Sequence, residues 1–261
     1  MSAIITLTTD FGSASPYAAA MKGVILGINP AARIEDISHE VGPQDVRHGA
    51  VLLAEATPWF PTGTIHVGVV DPGVGTSRRL VYARIGDQQY LAPDNGLLSL
   101  LAARNRPARI IELANVDYWM PTVSHTFHGR DILAPVAAQL SLGLEPERLG
   151  PTMQELLMLD WPEARRDDNR IEGAVRWIDR FGNLITNISA SLLPETRSAS
   201  KLRVAAAGKT INGLALAYEE RQVGELTALV GSSGYLEIAV VDGNAAQGLQ
   251  IGVSAPVIVE W

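Results

Sequence analysis

"TIHVGVVDPGVGTSRR", Thr64 to Arg79, reads as a strand that runs into a glycine-rich polar turn. Thr64 to Val70 is short, apolar and β-branched, the pattern of a strand buried on both faces. Asp71 to Arg79 then brings one carboxylate, two glycines and two guanidinium groups. Open α/β sheets bind ligands at the carboxyl ends of their strands. The stretch therefore puts charged chemistry where such a sheet would use it.

The flanking sequence alternates in the same way. "AIITLTT" (Ala3 to Thr9) predicts a buried strand, and "SPYAAAMKGVILGI" predicts a helix with Ser15 as N-cap and Pro16 at the first helical position. "RIEDI" predicts a short strand, and "QDVRHGAVLLAEATPWF" a helix ended by Pro58 and Pro61. Downstream, "LVYARI" and "QQYLA" predict a strand pair, "GLLSLLAAR" a helix and "RIIEL" a strand. "DILAPVAAQLSLG" predicts a helix with Pro135 in its early part. Alternating β and α units imply a mostly parallel sheet with helices on its faces.

The pattern changes near residue 160. "DWPEARRDDNR" (Asp160 to Arg170) is charged and suits a linker. After it come short β-like runs separated by Gly, Ser and Asn, the signature of a small β-barrel or sandwich. The expected fold class is α/β. An N-terminal α/β domain over residues 1–160 is followed by a smaller C-terminal β-barrel domain over residues 170–261.

Composition narrows the function. With 47% hydrophobic and 19% charged residues the chain is globular, not disordered. A net charge of -7 argues against nucleic acid as a partner and suits, weakly, a cationic small molecule. The absence of cysteine excludes disulfides, zinc–thiolate sites and thiol nucleophiles. The N-terminus reads as a first strand rather than a signal peptide, and no apolar run approaches the ~20 residues of a membrane helix. The expectation is a cytoplasmic protein without a membrane partner.

Four stretches could carry chemistry. Asp10 of "TTDFG" could accept hydrogen bonds from ribose hydroxyls, or serve as a turn aspartate. "DPGVGTSRR" matches neither a Walker loop nor GxGxxG. It reads as a phosphate-type loop with Arg78, or as a plain type II turn centred on Pro72 and Gly73. In "SHTFHGRDILAPVA" (Ser124 to Ala137), His125, His128 and Asp131 stand three apart. That spacing would let them ligate a metal with Asp10 or Asp71, yet a zinc-protease pattern is absent and a helix-end role is the plainer reading. In "WIDRFGNLITNI" (Trp177 to Ile188), Asp179, Asn183 and Asn187 surround Phe181. They suit an adenine and an ammonium group, or a hairpin turned at Gly182-Asn183.

Taken in order, "TTDFG", "VVDPGVGTSRR", "LAPDNGLLS", "TFHGRDILAPVAA", "IDRFGNLITNI" and "SSGYLEIAV" run from Thr8 to Val240. Together they resemble the S-adenosyl-L-methionine (SAM) hydroxide adenosyltransferases, or SAM hydrolases, relatives of the SAM-dependent fluorinase and chlorinase. The resemblance implies an α/β domain followed by a β-barrel. It also implies a homotrimer, with each SAM site between the N-terminal domain of one subunit and the C-terminal domain of its neighbour. It maps a catalytic triad onto Asp71, Arg78 and His128, and a ribose contact onto Asp10. Contacts to the methionine and adenine ends map onto Asp179, Phe181 and Asn183, with Asn95, Ser232 and Ser233 beside them. The halogenases have Tyr where this chain has Asp71, Thr at Val74 and Tyr-Ser at His128-Gly129, so the hydroxyls of a halide pocket are missing. Gln44 stands where the fluorinase has a tryptophan beside the ribose.

The implied reaction is attack of water or hydroxide on the ribose 5′ carbon of SAM, giving adenosine and methionine. A sulfonium is an excellent leaving group, so neither metal nor cofactor is expected. Arg78 cannot act as base near neutral pH but can stabilise developing hydroxide. His128 can accept the proton, and Asp71 can orient Arg78 or His128. His125 and Arg130 are expected to be structural, and Asp131 to sit in the first helical turn. The competing expectations are a SAM or adenosine-binding module without turnover and a SAM-dependent halogenase.

Overall fold

The computed structural model describes residues 3–194 and 201–261. The chain divides into two compact units, Met1–Leu159 and Asp160–Trp261.

The first unit is built on a six-stranded sheet. Its strands are β1 (Ile4–Thr9), β2 (Arg33–Ser38), β3 (Ile65–Val69), β4 (Leu80–Ile85), β5 (Gln88–Pro93) and β6 (Arg109–Glu112), in the order β2-β1-β3-β5-β4-β6. β2, β1, β3 and β5 run parallel, and β4 is antiparallel to both its neighbours. The mostly parallel sheet expected from the β/α alternation is therefore present. Helices α1 (Tyr17–Ile28), α2 (Val46–Ala56), α3 (Ser99–Arg104) and α4 (Ala134–Ser141) complete the unit. Burial on both faces suits the β-branched, mostly apolar character of β1 and β3: all five residues of β3 and five of six in β1 are buried. Met21 and Ile25 of α1 and Val136 and Ala137 of α4 join Ile5, Leu7 and Val67 in one core. With β1 hydrogen-bonded to β2 on one side and β3 on the other, the carboxyl ends of all three lie side by side. Asp10, His39 and Asp71 leave the sheet there.

Two helix starts differ from expectation. Ser15 does not cap α1: its hydroxyl donates to the Gly12 carbonyl, and Pro16 is the cap residue. The chain before α4 makes a π turn, Gly129–Leu133, instead of the first turn of one helix. Pro135 has no N–H to give the carbonyl four residues back, and that carbonyl, on Asp131, accepts the Met120 N–H at 2.8 Å instead.

The second unit is an eight-stranded antiparallel sheet. Its strands are β7 (Arg165–Asp167), β8 (Arg170–Ile178), β9 (Leu184–Ser189), β10 (Arg203–Ala206), β11 (Lys209–Asn212), β12 (Leu226–Val230), β13 (Tyr235–Val240) and β14 (Pro256–Glu260). The main path runs β11-β10-β14-β8-β9-β13-β12, with β7 on β8. Ala215, just past β11, donates its N–H to Ala228 of β12 at 2.9 Å, so the two edges approach and the sheet nearly closes into the expected barrel. β7 lies inside the charged stretch read as a linker. All three of its residues are exposed, and alternation cannot mark a strand with no buried face. A short helix, α5 (Ala245–Leu249), packs on the barrel core through Ala245. No helix among the described residues is long and apolar enough to cross a membrane.

One core residue of the first unit is titratable. His66 of β3 is 1% exposed, takes a 2.7 Å hydrogen bond at Nδ1 from or to Thr6 Oγ1, and stacks on Tyr90. Burial pushes its pKa down to about 3, against a smaller upward pull from Gln88. The folded state thus binds fewer protons than the unfolded one. The stability this represents is complete above the unfolded value near 6.5 and is lost as pH falls toward 3, by up to about 5 kcal/mol. Urea unfolding of wild type and His66→Asn between pH 7 and 3 should show the wild type losing its advantage as pH falls. A constant difference across that range would mean that His66 does not titrate on unfolding.

Candidate active site

The exit of β3 is pinned before any charge appears. Val70 is fully buried, and its carbonyl accepts the Asn95 Nδ2 amide at 2.8 Å, while Asn95 Oδ1 accepts the Leu97 N–H. Asn95 thus holds backbone next to Asp71. The Asp71–Val74 turn closes with a 3.2 Å bond from Val74 N–H to Asp71 O. It is not the type II turn that Pro72-Gly73 suggested, because Gly73 lacks the positive φ which that turn demands. Gly75 takes the positive φ instead, at 80°. A Cβ there would stand 2.3 Å from the His125 carbonyl oxygen. The loop after β3 and the loop before α4 therefore touch backbone to backbone, which only glycine permits.

That contact brings Asp71, Arg78 and His128 together. Arg78 Nε donates to Asp71 Oδ1 and Oδ2 at 2.7 and 2.9 Å, and Nη2 donates to Oδ2. The same Nη2 lies 2.8 Å from His128 Nδ1. A guanidinium has only donors, so Nδ1 is the acceptor, and the neutral ring carries its proton on Nε2. The Asp71 and Arg78 side chains are 6% and 11% exposed, so their charges face each other with little water between them. Burial and the adjacent Arg78 charge push the His128 pKa down, against upward pulls from Asp71 and Asp131. The two N–H groups of Arg78 Nη1 take no part in these bonds.

The neighbouring polar residues support the loops. Asp131 is 1% exposed, in the π turn rather than an α-helical first turn. It accepts Arg130 Nε at 2.6 Å, Arg130 Nη2 at 3.0 Å and the Ser124 N–H at 2.9 Å. Arg130 also lies over the Phe127 ring at 5.0 Å. Phe127 meets Phe11 and Tyr17 edge to face, at 5.6 and 5.3 Å, which ties the loop after β1 to the loop before α4. Among the described residues no group of three or more acidic or histidine side chains is arranged to hold a metal. At the end of β1, Asp10 Oδ2 accepts the Gln44 N–H at 2.8 Å. Gln44 reaches it with φ at 62°, a backbone conformation that costs a non-glycine residue energy.

The second unit carries its own polar cluster. Asp179–Asn183 closes the β8–β9 hairpin, with Gly182 at φ 87°. Asp179 Oδ1 accepts the N–H groups of Phe181 and Asn183, and Oδ2 accepts the Asn183 amide. The hairpin is present but turns through Arg180 and Phe181, closed by the Gly182 N–H on the Asp179 carbonyl, rather than at Gly182-Asn183, and it leaves Phe181 75% exposed on the rim of a cavity of about 650 Å³. Asp179, Asn183, Tyr218 and Asn244 line the same cavity. Tyr218 and Asn244 escaped the sequence reading. Asn244 caps α5, a helix too short to show a period, and Tyr218 follows a stretch with no pattern. The Tyr218 hydroxyl donates to buried Glu237, whose carboxyl is pushed up by burial and by Asp179. Ser232 and Ser233 lie in the turn before β13, at the opposite end of that strand from Val240, which lines the cavity.

The SAM hydroxide adenosyltransferase N-terminal domain matches residues 5–150, and the C-terminal domain of the same family matches residues 173–258. The chain belongs to the SAM hydroxide adenosyltransferase family. It is 41% identical to an (R)-S-adenosyl-L-methionine hydrolase from Salinispora tropica, over 93% of this chain and 92% of that one. A fluorinase from an Actinoplanes species is more distant, 27% identical over 90% of each chain. A crystal structure of an uncharacterized conserved protein from Thermotoga maritima superposes with a TM-score of 0.92 at 37% identity, covering 99% of this chain and 100% of that one.

Within this family member, the Gly75 contact can be tested directly. Gly75→Ala should destabilise the first unit by about 1–2 kcal/mol through its left-handed φ. It should also displace the His128 loop, lowering turnover by up to about 10²-fold. Gly73→Ala, whose new Cβ would meet only ordinary contacts at 3.5 Å and beyond, is the control. Equal effects of the two substitutions on thermal midpoint and turnover would show that the backbone contact is unimportant.

Proposed function

We propose that this chain hydrolyses SAM to adenosine and L-methionine, with Asp71, Arg78 and His128 as its catalytic residues. The observation that carries the proposal is the Arg78 guanidinium shared between Asp71 and His128, at the carboxyl edge of a parallel sheet in a member of this family. In the reaction, a water oxygen forms a bond to the ribose 5′ carbon. The carbon–sulfur bond breaks, its electron pair neutralises the sulfonium, and one proton is released. SAM supplies its own leaving group, so the step needs no metal or cofactor to activate it.

The residues divide the remaining work. The free Nη1 donors of Arg78 stabilise the developing hydroxide and lower the pKa of the attacking water. His128 takes the proton at Nδ1, the nitrogen that carries its lone pair, as its ring moves off Arg78 Nη2 while Arg78 stays on Asp71. Asp71 fixes the guanidinium and balances its charge. Asp10 accepts hydrogen bonds from the ribose hydroxyls. Asp179, Phe181 and Asn183 hold the adenine and methionine ends, with Asn95, Ser232 and Ser233 as lesser contributors. As a homotrimer, the protein would set the Asp179–Asn183 hairpin of one subunit beside the Asp71–Arg78–His128 group of its neighbour. Light scattering of the purified protein tests that state.

Purified protein incubated with SAM should yield adenosine and methionine in equal amounts, unchanged by chloride, fluoride or a chelator. A halogenated nucleoside would establish the halogenase reading, and SAM retained without turnover would establish a binding module. His128→Ala should lower turnover by roughly 10²–10⁴. Because the His128 pKa is depressed, the neutral base persists below pH 6.5. The rate should therefore hold its plateau through pH 6.5 and decline only at lower pH. An acid limb above 6.5, or full activity of His128→Ala, would remove His128 from the role of base.

A further inference from the structure

We propose that His39 is a positioning residue that holds Asp10 in its substrate-binding geometry, with Thr9 as the intermediary. The inference rests on the reading of Asp10 as the ribose contact. It goes beyond that reading by naming what fixes the carboxylate.

Asp10 stands between two points that His39 grips. On one side, His39 Nδ1 lies 2.9 Å from the hydroxyl of Thr9, which is fully buried. The Thr9 Oγ1 in turn accepts the Phe11 N–H at 3.3 Å. On the other side, the His39 carbonyl accepts the Gly12 N–H at 2.7 Å. The ring itself is 10% exposed, and its Nε2 lies 3.1 Å from Asp36 Oδ1. Asp36 is anchored to α1 by the Lys22 ammonium at 2.5 Å. The Thr9 hydroxyl bridges His39 Nδ1 and the N–H of Phe11, the residue after Asp10.

The next residues strengthen the same clamp. Glu40 Oε1 accepts the Ser13 N–H at 2.7 Å, and the Val41 N–H reaches the Thr9 carbonyl at 3.3 Å. Gln44 closes it on the Asp10 carboxylate itself. Residues 39–44 therefore act as a frame for residues 9–13, and within it the His39 side chain bonds the Thr9 hydroxyl. A ribose contact needs a carboxylate held in one place, because a misplaced one binds the diol with a fraction of the strength.

The test is a double-mutant cycle on the purified full-length chain with SAM. Asp10→Ala should raise KM. His39→Ala should raise KM about tenfold, the loss of one hydrogen bond to a charged group's support, with kcat changed much less. The double variant should be no worse than Asp10→Ala alone. His39→Asn, whose amide reaches the place of Nδ1, should restore most of the KM. Thr9→Val, of equal volume, should reproduce the His39→Ala effect and carries the test if His39→Ala does not fold. An unchanged KM for Asp10→Ala overturns the ribose reading and the positioning role with it. A raised KM for Asp10→Ala with multiplicative effects in the double variant, or with none in His39→Ala and Thr9→Val, overturns the positioning role alone.

Discussion

The first unit depends on one guanidinium placed where water is scarce. Arg78 is 11% exposed and carries a fixed positive charge. Such a charge is tolerable only if a counter-ion meets it with good geometry. Asp71 does so with both oxygens, and it can because β3 delivers it at a fixed point. That point is set by the parallel pairing of β1 and β3, by the buried Val70 and by the Asn95 bond to the Val70 carbonyl. The third partner, His128, comes from a loop more than fifty residues downstream in a chain that must approach closely. Gly75 permits the approach by having no side chain.

The electrostatic result differs from a simple ion pair. Asp71 and Arg78 cancel, and the His128 ring beside them is neutral because Arg78 occupies its lone pair. The group as a whole is therefore close to uncharged, yet it holds a donor array with spare N–H groups. That combination does not repel a sulfonium, as an unpaired guanidinium would, and it still offers stabilisation to an oxygen anion. A lone Arg would give the second property without the first.

The sequence showed the frame better than the supports. β1 and β3 were legible because they are short, rich in β-branched residues and without charge. Asp71 and Arg78 were legible as chemistry from their position after a strand, and His128 from the polar run before a helix, although their partnership came only from the family resemblance. The π turn was hidden because it follows from where the Asp131 carbonyl finds its donor, a contact with Met120 that no local pattern encodes. Ser15 misled for the same reason: the residue type suits a cap, but its hydroxyl found Gly12. β7 has no buried face, and Tyr218 owes its place to Glu237, nineteen residues away. At Asp179–Asn183 the hairpin and the binding readings were set against each other, and the hairpin bonds alone do not use up the Asp179 carboxylate.

Asp179 makes that point in terms of capacity. Its carboxylate accepts three hydrogen bonds, all from the hairpin it closes. A carboxylate offers about four lone-pair sites, so close to one remains for anything outside. The structural bonds fix the oxygen positions and leave room for one further donor. Asp10 follows the same scheme with Gln44, as does Asp71 with Arg78. In each case backbone or a buried cation takes part of the carboxylate's capacity to hold it still. A turn aspartate is therefore not excluded from binding, because the bonds that hold its carboxylate still leave part of its capacity open.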